Sequence, residues 1–176
     1  LVMKKFICLL SIFFLFISCK KTNNKSDSIT KSIDYSQLNS FIQDSLSDFR
    51  ILNKNYNQVF ELWDDIKIIS STSDVILGDP RTLIFSLESF KLEVEKINDK
   101  QLPGKLNVPP IIGRFRVYKT NVLKINSNNI NLENIDLFKN NIADIVISYN
   151  ALIKMMNKIA KESLESNKLD FTVEVE

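Results

Sequence analysis

The chain has 176 residues, and its 23 lysine and arginine residues nearly balance its 21 aspartate and glutamate residues. This balance argues against a polybasic nucleic-acid binder. The sequence contains no histidine, which excludes His-zinc sites, Glu-x-x-His di-iron sites and histidine-based catalytic triads.

The amino-terminal stretch has the pattern of an export signal. Lys4 and Lys5 precede an apolar run over residues 6–17, which is too short to span a bilayer as a stable anchor. The run ends in Phe-Ile-Ser-Cys at residues 16–19, which resembles the lipobox of bacterial lipoproteins, where a small residue precedes an invariant cysteine. An ordinary secretory signal is the alternative, but Phe16 stands where its cleavage pattern needs a small residue.

The resemblance covers residues 3–19 and implies a lipid anchor. It implies that Cys19 is acylated and becomes the first residue of the mature protein. Several acyl chains attach a protein stably to a membrane, so the resemblance implies a protein that is lipid-anchored in a bacterial cell envelope. Residues 20–31 are polar and basic without an acidic cluster, which favours the outer membrane and its periplasmic side.

The sequence is predicted to divide into four segments. These are a signal peptide at residues 1–18, a lipidated flexible tether at 19–33, a helical bundle domain at 34–166 and a C-terminal tail at 167–176. Loss of the signal peptide removes two lysines and leaves 21 basic and 21 acidic side chains in the mature chain. The only cysteines are Cys8 and Cys19, so the helical domain contains no disulfide.

Residues 34–70 are predicted to form one long helix. Asp34 followed by Gln37 is typical of a capping box. Apolar residues recur in steps of three and four, with Ser45 as the one polar interruption. They are Tyr35, Leu38, Ile42, Phe49, Leu52, Tyr56, Val59, Trp63 and Ile66.

Two shorter helices are predicted to follow. Asp79 as N-cap and Pro80 in the first turn predict the start of a helix over residues 79–98. Residues 99–109 contain two prolines and a glycine and are predicted to form a loop. A third helix covers residues 110–125. The apolar stripes are Leu83, Leu87, Phe90, Val94 and Ile97 on the second helix, and Ile111, Phe115, Tyr118, Val122 and Ile125 on the third.

The fourth predicted helix carries the clearest pattern. Residues 126–131 form a turn in which Asn131 caps a helix that continues to about Ser166. Its stripe consists of Ile135, Phe138, Ile142, Ile145, Tyr149, Leu152, Met156 and Ile159. Residues 145–156 are apolar on nearly every side, which favours burial by several helices. Residues 170–176 alternate like a strand, and we interpret them as a frayed tail, with a β-pairing segment as the alternative.

These lengths predict an all-α fold, an elongated antiparallel four-helix bundle with two long and two short helices. The short pair would pack against the far half of the long pair, where Phe60 and Leu62 widen the apolar face. The near half would be a two-helix stalk with both termini at the membrane. The alternative is a break of the first helix within residues 53–57, where three asparagines are poor helix formers, giving a compact five-helix bundle.

The third helix carries the candidate binding residues. Residues 100–132 contain six basic residues and no acidic residue. Arg114, Arg116 and Lys119 lie beside the proline-rich loop, and guanidinium groups bind carboxylates and phosphates in bidentate fashion. They therefore form a candidate site for an anion or an acidic partner. The alternative is that this basic helix packs beside the acidic first and second helices through solvated charge pairs.

No catalytic grouping is apparent in the sequence. Asp44 with Asp48, and Glu61 with Asp65, are spaced to face away from the apolar stripe, which favours a solvated helix face. The sequence has no glycine-rich phosphate loop, Ser-x-x-Lys motif or nucleophile elbow. We therefore predict a protein that is not an enzyme and that has no cofactor, no catalytic residue and no metal site.

The sequence thus predicts a non-enzymatic binding module on a membrane anchor. Its partner would be an envelope protein or an acidic partner, bound at the basic third helix or at the loop over residues 99–109, and not a nucleic acid. The alternative function is a small-molecule or lipid carrier with an apolar cavity between the helices, since residues 145–156 include Met155 and Met156, whose side chains suit adaptable pockets. The oligomeric state stays open, because a heptad pattern can also pair two chains.

Overall fold

The computed structural model describes residues 34–98, 100, 102–126, 130 and 134–173, with side chains up to residue 166. In this part of the chain all regular secondary structure is helical, which confirms the predicted all-α class. The α-helices are α1 Tyr35–Ser45, α2 Asn57–Phe60, α3 Ile66–Ser70, α4 Thr72–Ile76, α5 Leu83–Lys96, α6 Pro109–Lys124 and α7 Ile135–Val173, with 3-10 helices at Lys54–Tyr56 and Gly104–Leu106. The predicted signal peptide, the lipidation of Cys19 and the tether lie outside the described residues.

The predicted continuous helix over residues 34–70 is wrong. Its start is confirmed, because the Asp34 carboxylate accepts hydrogen bonds from the backbone N–H groups of Ser36 and Gln37 at 2.9 and 3.4 Å. Helix α1 nevertheless ends at Ser45, before the asparagine-rich stretch where we expected any break. Among the residues that the structure describes, one long helix, α7, therefore stands in place of the two predicted, and residues 34–70 do not form the second helix of the predicted stalk.

The chain after α1 forms no regular helix because some of its backbone groups are hydrogen-bonded to side chains. Residues 47–53 carry no helix or strand, and the carboxamide side chains of α7 pair with their backbone, as described below. The Asn53 side chain then accepts a hydrogen bond from the backbone N–H of Asn55 at 3.0 Å and so caps the first 3-10 helix. Asparagine favours such local caps over helix interiors.

The apolar spacing predicted burial for most of these residues although it failed to predict the helix. Five of the nine stripe residues are buried, three are half-buried and Tyr35 is exposed. The buried five are Leu38, Ile42, Val59, Trp63 and Ile66, and the half-buried three are Phe49, Leu52 and Tyr56. Burial of these side chains is the main stabilising term of the fold, and it does not require that one helix present all of them.

Helix α5 begins at Leu83, three residues after the predicted Pro80. The Asp79 carboxylate binds the Arg81 side chain at 2.7 Å and the Arg81 backbone N–H at 2.9 Å. The backbone carbonyl of Asp79 also accepts the N–H of Thr82 at 2.9 Å. These contacts close a turn ahead of the helix. The predicted stripe from Leu83 to Ile97 is buried throughout.

The third and fourth predicted helices are confirmed with small changes at their ends. Helix α6 is displaced from its prediction by one residue, and its stripe from Ile111 to Ile125 is completely buried. Helix α7 is 39 residues long and extends past the predicted end at Ser166 into the predicted tail. Six of its eight stripe residues are buried, and Ile135 and Ile159 are half-buried. The proposed cap at Asn131 lies outside the described residues.

Helices α5, α6 and α7 pack in sequence with alternating direction. Lys91 of α5 donates a hydrogen bond to the carbonyl of Ile125 at 3.0 Å, just after α6 ends. Lys119 of α6 donates to the carbonyls of Glu95 and Ile97 at the end of α5. Each lysine therefore caps the carboxyl end of the other helix, where carbonyl groups lack helical partners and the helix dipole favours a cation.

Candidate functional site

The structure separates the three cations of the predicted basic site. The Lys119 ammonium lies 2.9 and 2.6 Å from the carbonyl oxygens of Glu95 and Ile97, so it caps α5. Arg114 is exposed, and its guanidinium donates a hydrogen bond to the carbonyl of Pro110 at 3.1 Å, one turn back along α6.

Arg114 and Arg116 also point in different directions. Both side chains are exposed, but residues two apart on a helix are separated by about 200° around its axis, at 3.6 residues per turn. The structure therefore does not direct Arg114, Arg116 and Lys119 to one point. Binding of an acidic partner at Arg114 or Arg116 stays a prediction.

The carboxylate pairs noted in the sequence do not share helix faces. Asp44 lies in α1 and Asp48 lies beyond its end; Glu61 lies in a turn and Asp65 immediately precedes α3. The Asp65 carboxylate accepts the indole N–H of Trp63 at 3.3 Å. Within the described residues, no group of three or more cysteine, aspartate or glutamate side chains is placed to hold a metal ion.

An open cleft of about 420 Å³ lies beside the proline-rich loop. This volume falls in the range of about 300–1,000 Å³ found for ligand pockets. Its surface combines an apolar wall with two carboxylates. We call it the loop cleft, and it is lined by Leu62, Trp63, Asp64, Asp65, Asn98, Leu102 and Pro103.

Close packing holds the walls of the loop cleft in place. The Trp63 ring is buried and meets the Phe115 ring edge to face, with centroids 5.4 Å apart. Gly104 has a φ of 55°, a conformation that favours glycine, and a Cβ atom there would lie 3.2 Å from Cδ1 of Leu62. The loop can therefore approach Leu62 closely, while 62 % of the Leu62 surface stays exposed to solvent.

A chain of aromatic rings runs from the loop cleft through the core. Phe115 is followed by Tyr118, then by Tyr149 of α7 and finally by Phe49, with successive centroids 6.4, 6.2 and 5.7 Å apart. The sequence predicted core packing for Trp63, Tyr118 and Tyr149, and all three are buried. These rings contribute burial and edge contacts.

The hydroxyl groups of Tyr118 and Tyr149, the two tyrosines in this series of rings, are held in the neutral form. Thr72 donates its hydroxyl hydrogen to the carbonyl of Ile69 at 2.5 Å, so Tyr118 is the donor in the 2.7 Å hydrogen bond between the two hydroxyl oxygens. Burial raises the pKa of Tyr118. Burial, together with the nearby Asp74 carboxylate, raises the pKa of Tyr149 to about 12. Neither phenol is poised for proton transfer at neutral pH.

The sequence did not predict how α7 holds residues 47–53, which we call the strap. The Asn150 side chain donates to the carbonyl of Asp48 at 2.7 Å and accepts the N–H of Arg50 at 2.8 Å. The Asn157 side chain binds the strap in the same way, donating to the carbonyl of Ile51 at 2.9 Å and accepting the N–H of Asn53 at 2.8 Å. Each carboxamide thus binds one backbone carbonyl of the strap and the backbone N–H group two residues further along the chain.

A second, smaller cleft of about 90 Å³ lies at the start of α7. It is lined by Asn126, Ile130, Asn134, Leu137, Phe138 and Asn141. Neither cleft is lined by residues 145–156, the span on which the predicted carrier function rested.

No family model matches the chain, and no similar protein is found among curated proteins or solved structures. In the part of the chain that the structure describes, no helix has the length and apolar character needed to cross a bilayer.

Proposed function

We propose that the protein is a lipoprotein of the bacterial cell envelope, anchored through acyl chains on Cys19, whose helical domain is a non-enzymatic binding module. The anchor rests on the lipobox-like sequence at residues 16–19. The binding function rests on the loop cleft, which lies beside the loop where we expected a contact surface. In this proposal the domain is a four-helix bundle. Helices α5, α6 and α7 are three of its four helices, and the short helices α3 and α4 together take the place of the fourth.

The chemistry of the loop cleft favours a partner segment that is both basic and apolar. Asp64 and Asp65 supply negative charge to the lining of the cleft, and Leu62 supplies an exposed apolar surface. A lysine or arginine side chain can lay its alkyl stem on the apolar wall while its charged end meets the carboxylates. The proposed partner is therefore an envelope protein that presents a basic side chain.

Site-specific photo-crosslinking in cells tests this proposal. A photo-reactive phenylalanine analogue replaces Leu62 in the cleft or, as the matched control, Phe85 on α5, which is also apolar and is 79 % exposed. We expect a discrete adduct from position 62 that position 85 does not give. Equal adducts at both positions, or none at position 62, would contradict the proposed surface.

Charge reversal then tests the proposed chemistry. Asp64→Lys should abolish the adduct formed at position 62, because it places a cation against a basic partner. Glu61→Lys is the control, since Glu61 is also exposed but does not line the cleft. If instead Arg114→Glu removes the adduct and Asp64→Lys does not, the acidic-partner interpretation is correct.

The membrane anchor has its own test. Cys19→Ala should abolish incorporation of labelled fatty acid and release the chain from the membrane fraction, because the acyl chains supply the attachment. Cys8→Ala is the matched control and should keep both the label and the membrane location. Fatty-acid labelling that persists in Cys19→Ala would rule out the proposed anchor.

The alternative function, a small-molecule or lipid carrier, is supported by the sequence alone. Ile145, Leu152 and Met156 have no exposed surface, and side chains at such positions fill a core as readily as they line a cavity. Native mass spectrometry of the purified chain would support the carrier function if a lipid or small molecule stays bound to the domain.

A further inference from the structure

The strap region and the part of α7 that holds it are both basic. Residues 49–60 and 145–161 contain five lysine or arginine residues and no aspartate or glutamate. The hydrogen bonds of Asn150 and Asn157 hold the two segments side by side. The fold therefore brings cations from distant parts of the sequence to neighbouring positions on the surface. These cations are Arg50, Lys54, Lys154, Lys158 and Lys161.

Three of the five cations have no ion-pair partner. Two lysines of α7, at positions 158 and 161, each lie 3.7 Å from a glutamate one turn further along the helix. Arg50, Lys54 and Lys154 are exposed, and their side chains form no ion pair within the described residues. Lys154 lies four residues after Asn150 and three residues before Asn157. It is therefore on the face of α7 along which the strap runs.

Two exposed isoleucines lie among these unpaired cations. Ile51, which lies between Arg50 and Lys54 in the sequence, is 74 % exposed. Ile147 is 67 % exposed and precedes Lys154 by seven residues, so it lies on the same face of α7 two turns earlier. Exposed apolar side chains flanked by cations are typical of surfaces that bind at the boundary between lipid headgroups and acyl chains. We call these five residues the basic face.

The exposed apolar residues of α5 have the opposite electrostatic surroundings. Phe85 and Leu92 are also seven residues apart and are 79 % and 57 % exposed. Residues 85–95, however, contain three glutamates and one lysine, and that lysine caps the carboxyl end of α6. An anionic surface would be repelled there and attracted to the basic face. Charge therefore distinguishes two faces that expose similar apolar side chains.

We propose that the basic face docks the helical domain on the anionic lipid surface of the membrane that holds its anchor. This inference rests on the proposed anchor at Cys19. Residues 20–33 span at most about 50 Å even when fully extended, so the membrane is always within reach of the domain. The three unpaired cations meet anionic headgroups, and the two isoleucines enter the boundary beneath them.

Photo-crosslinking to phospholipid tests the docking. The full-length chain is extracted from membranes and reconstituted into vesicles of phosphatidylcholine and phosphatidylglycerol in equal parts. A photo-reactive phenylalanine analogue replaces Ile51 or, as the matched control, Phe85. We expect the yield of phospholipid adduct, measured by mass spectrometry, to be at least roughly tenfold higher at position 51, since each unpaired cation favours the anionic surface.

Removal of charge separates docking from mere proximity to the membrane. Arg50→Gln with Lys154→Gln should lower the yield at position 51 to that at position 85, and vesicles of pure phosphatidylcholine should have the same effect on the unaltered chain. Lys67→Gln with Lys96→Gln removes two exposed cations outside the basic face and should leave the yield unchanged. Circular dichroism checks that both double variants keep their helices.

Flotation of the vesicles distinguishes this inference from the proposed anchor. A chain that floats with the vesicles but gives equal phospholipid adducts at positions 51 and 85 would overturn the docking and leave the anchor standing. A chain that does not float would overturn both. A discrete protein adduct at position 51 in cells, without a phospholipid adduct, would overturn the docking on lipid and show that the basic face binds an acidic protein.

Discussion

The three helices α5, α6 and α7 and the segment between α1 and α5 bury apolar residues in different ways. In the three helices, the backbone groups pair within each helix, so the spacing of apolar residues predicts both the burial and the helix. Between α1 and α5, part of the backbone pairs with Asn150 and Asn157 from α7. There the spacing predicts which residues are buried or half-buried, but not their secondary structure. The difference shows that periodicity reports the direction of side chains, while the available hydrogen-bond partners decide the backbone conformation.

The largest expected effect comes from the shared core of both regions. Phe115→Ala should lower the free energy of unfolding by about 3–5 kcal/mol, because it opens a cavity at a fully buried ring between Trp63 and Tyr118. Chemical denaturation followed by circular dichroism measures this. Val117→Ala is the matched control on the same helix, where the side chain is 57 % exposed, and should change stability by less than about 0.5 kcal/mol.

The hydroxyl pair of Thr72 and Tyr118 joins the two regions and gives the next effect. Thr72→Val leaves the buried Tyr118 hydroxyl without its acceptor and should cost about 1–3 kcal/mol. Tyr118→Phe in the Thr72→Val background should then cost less than Tyr118→Phe alone. A double-mutant cycle from urea unfolding measures the coupling, and strictly additive effects would show that the hydrogen bond is not formed.

Alkaline pH weakens the neighbouring part of the core, where the ring of Tyr149 packs against that of Tyr118. The folded state raises the pKa of Tyr149 to about 12, above the unfolded value of about 10. Its contribution to stability is fully present below about pH 10 and is lost as the pH rises through about 12, because the unfolded state loses its proton first. Unfolding free energies measured between pH 9 and 12 should fall with pH, and Tyr149→Phe should reduce that slope. An unchanged slope would contradict the burial of this phenol.

The smallest effect separates the two interpretations of Lys119. Lys119→Met should lower stability by about 1 kcal/mol, because the last carbonyls of α5 lose their charged donor. Denaturation of this variant measures the loss. The adduct formed at position 62 should persist in it, because this lysine serves the fold. Loss of the adduct with unchanged stability would instead show that Lys119 takes part in binding the partner.

The limits of prediction from the sequence follow from the same comparison. The apolar stripes of α5, α6 and α7 were predictable because their apolar residues recur every three or four positions in the sequence. Asn150 and Asn157 resemble ordinary polar residues of a helix surface, and their partners lie about a hundred residues away, so no local signal marks them. Leu62 appeared to widen an apolar core face, but it lies in a turn after α2 and is exposed in the loop cleft.

Amide hydrogen exchange by NMR tests most directly whether α7 holds a non-helical strap through two carboxamides. We expect the N–H groups of Arg50 and Asn53 to exchange slowly, and those of Ile51 and Leu52 to exchange faster. Asn157→Ala should remove the protection of Asn53 and leave that of Arg50. Continuous protection from residue 46 to residue 57, as in an unbroken helix, would show that the strap is helical, and protection of Asn53 that survives Asn157→Ala would show that the Asn157 carboxamide does not hold it.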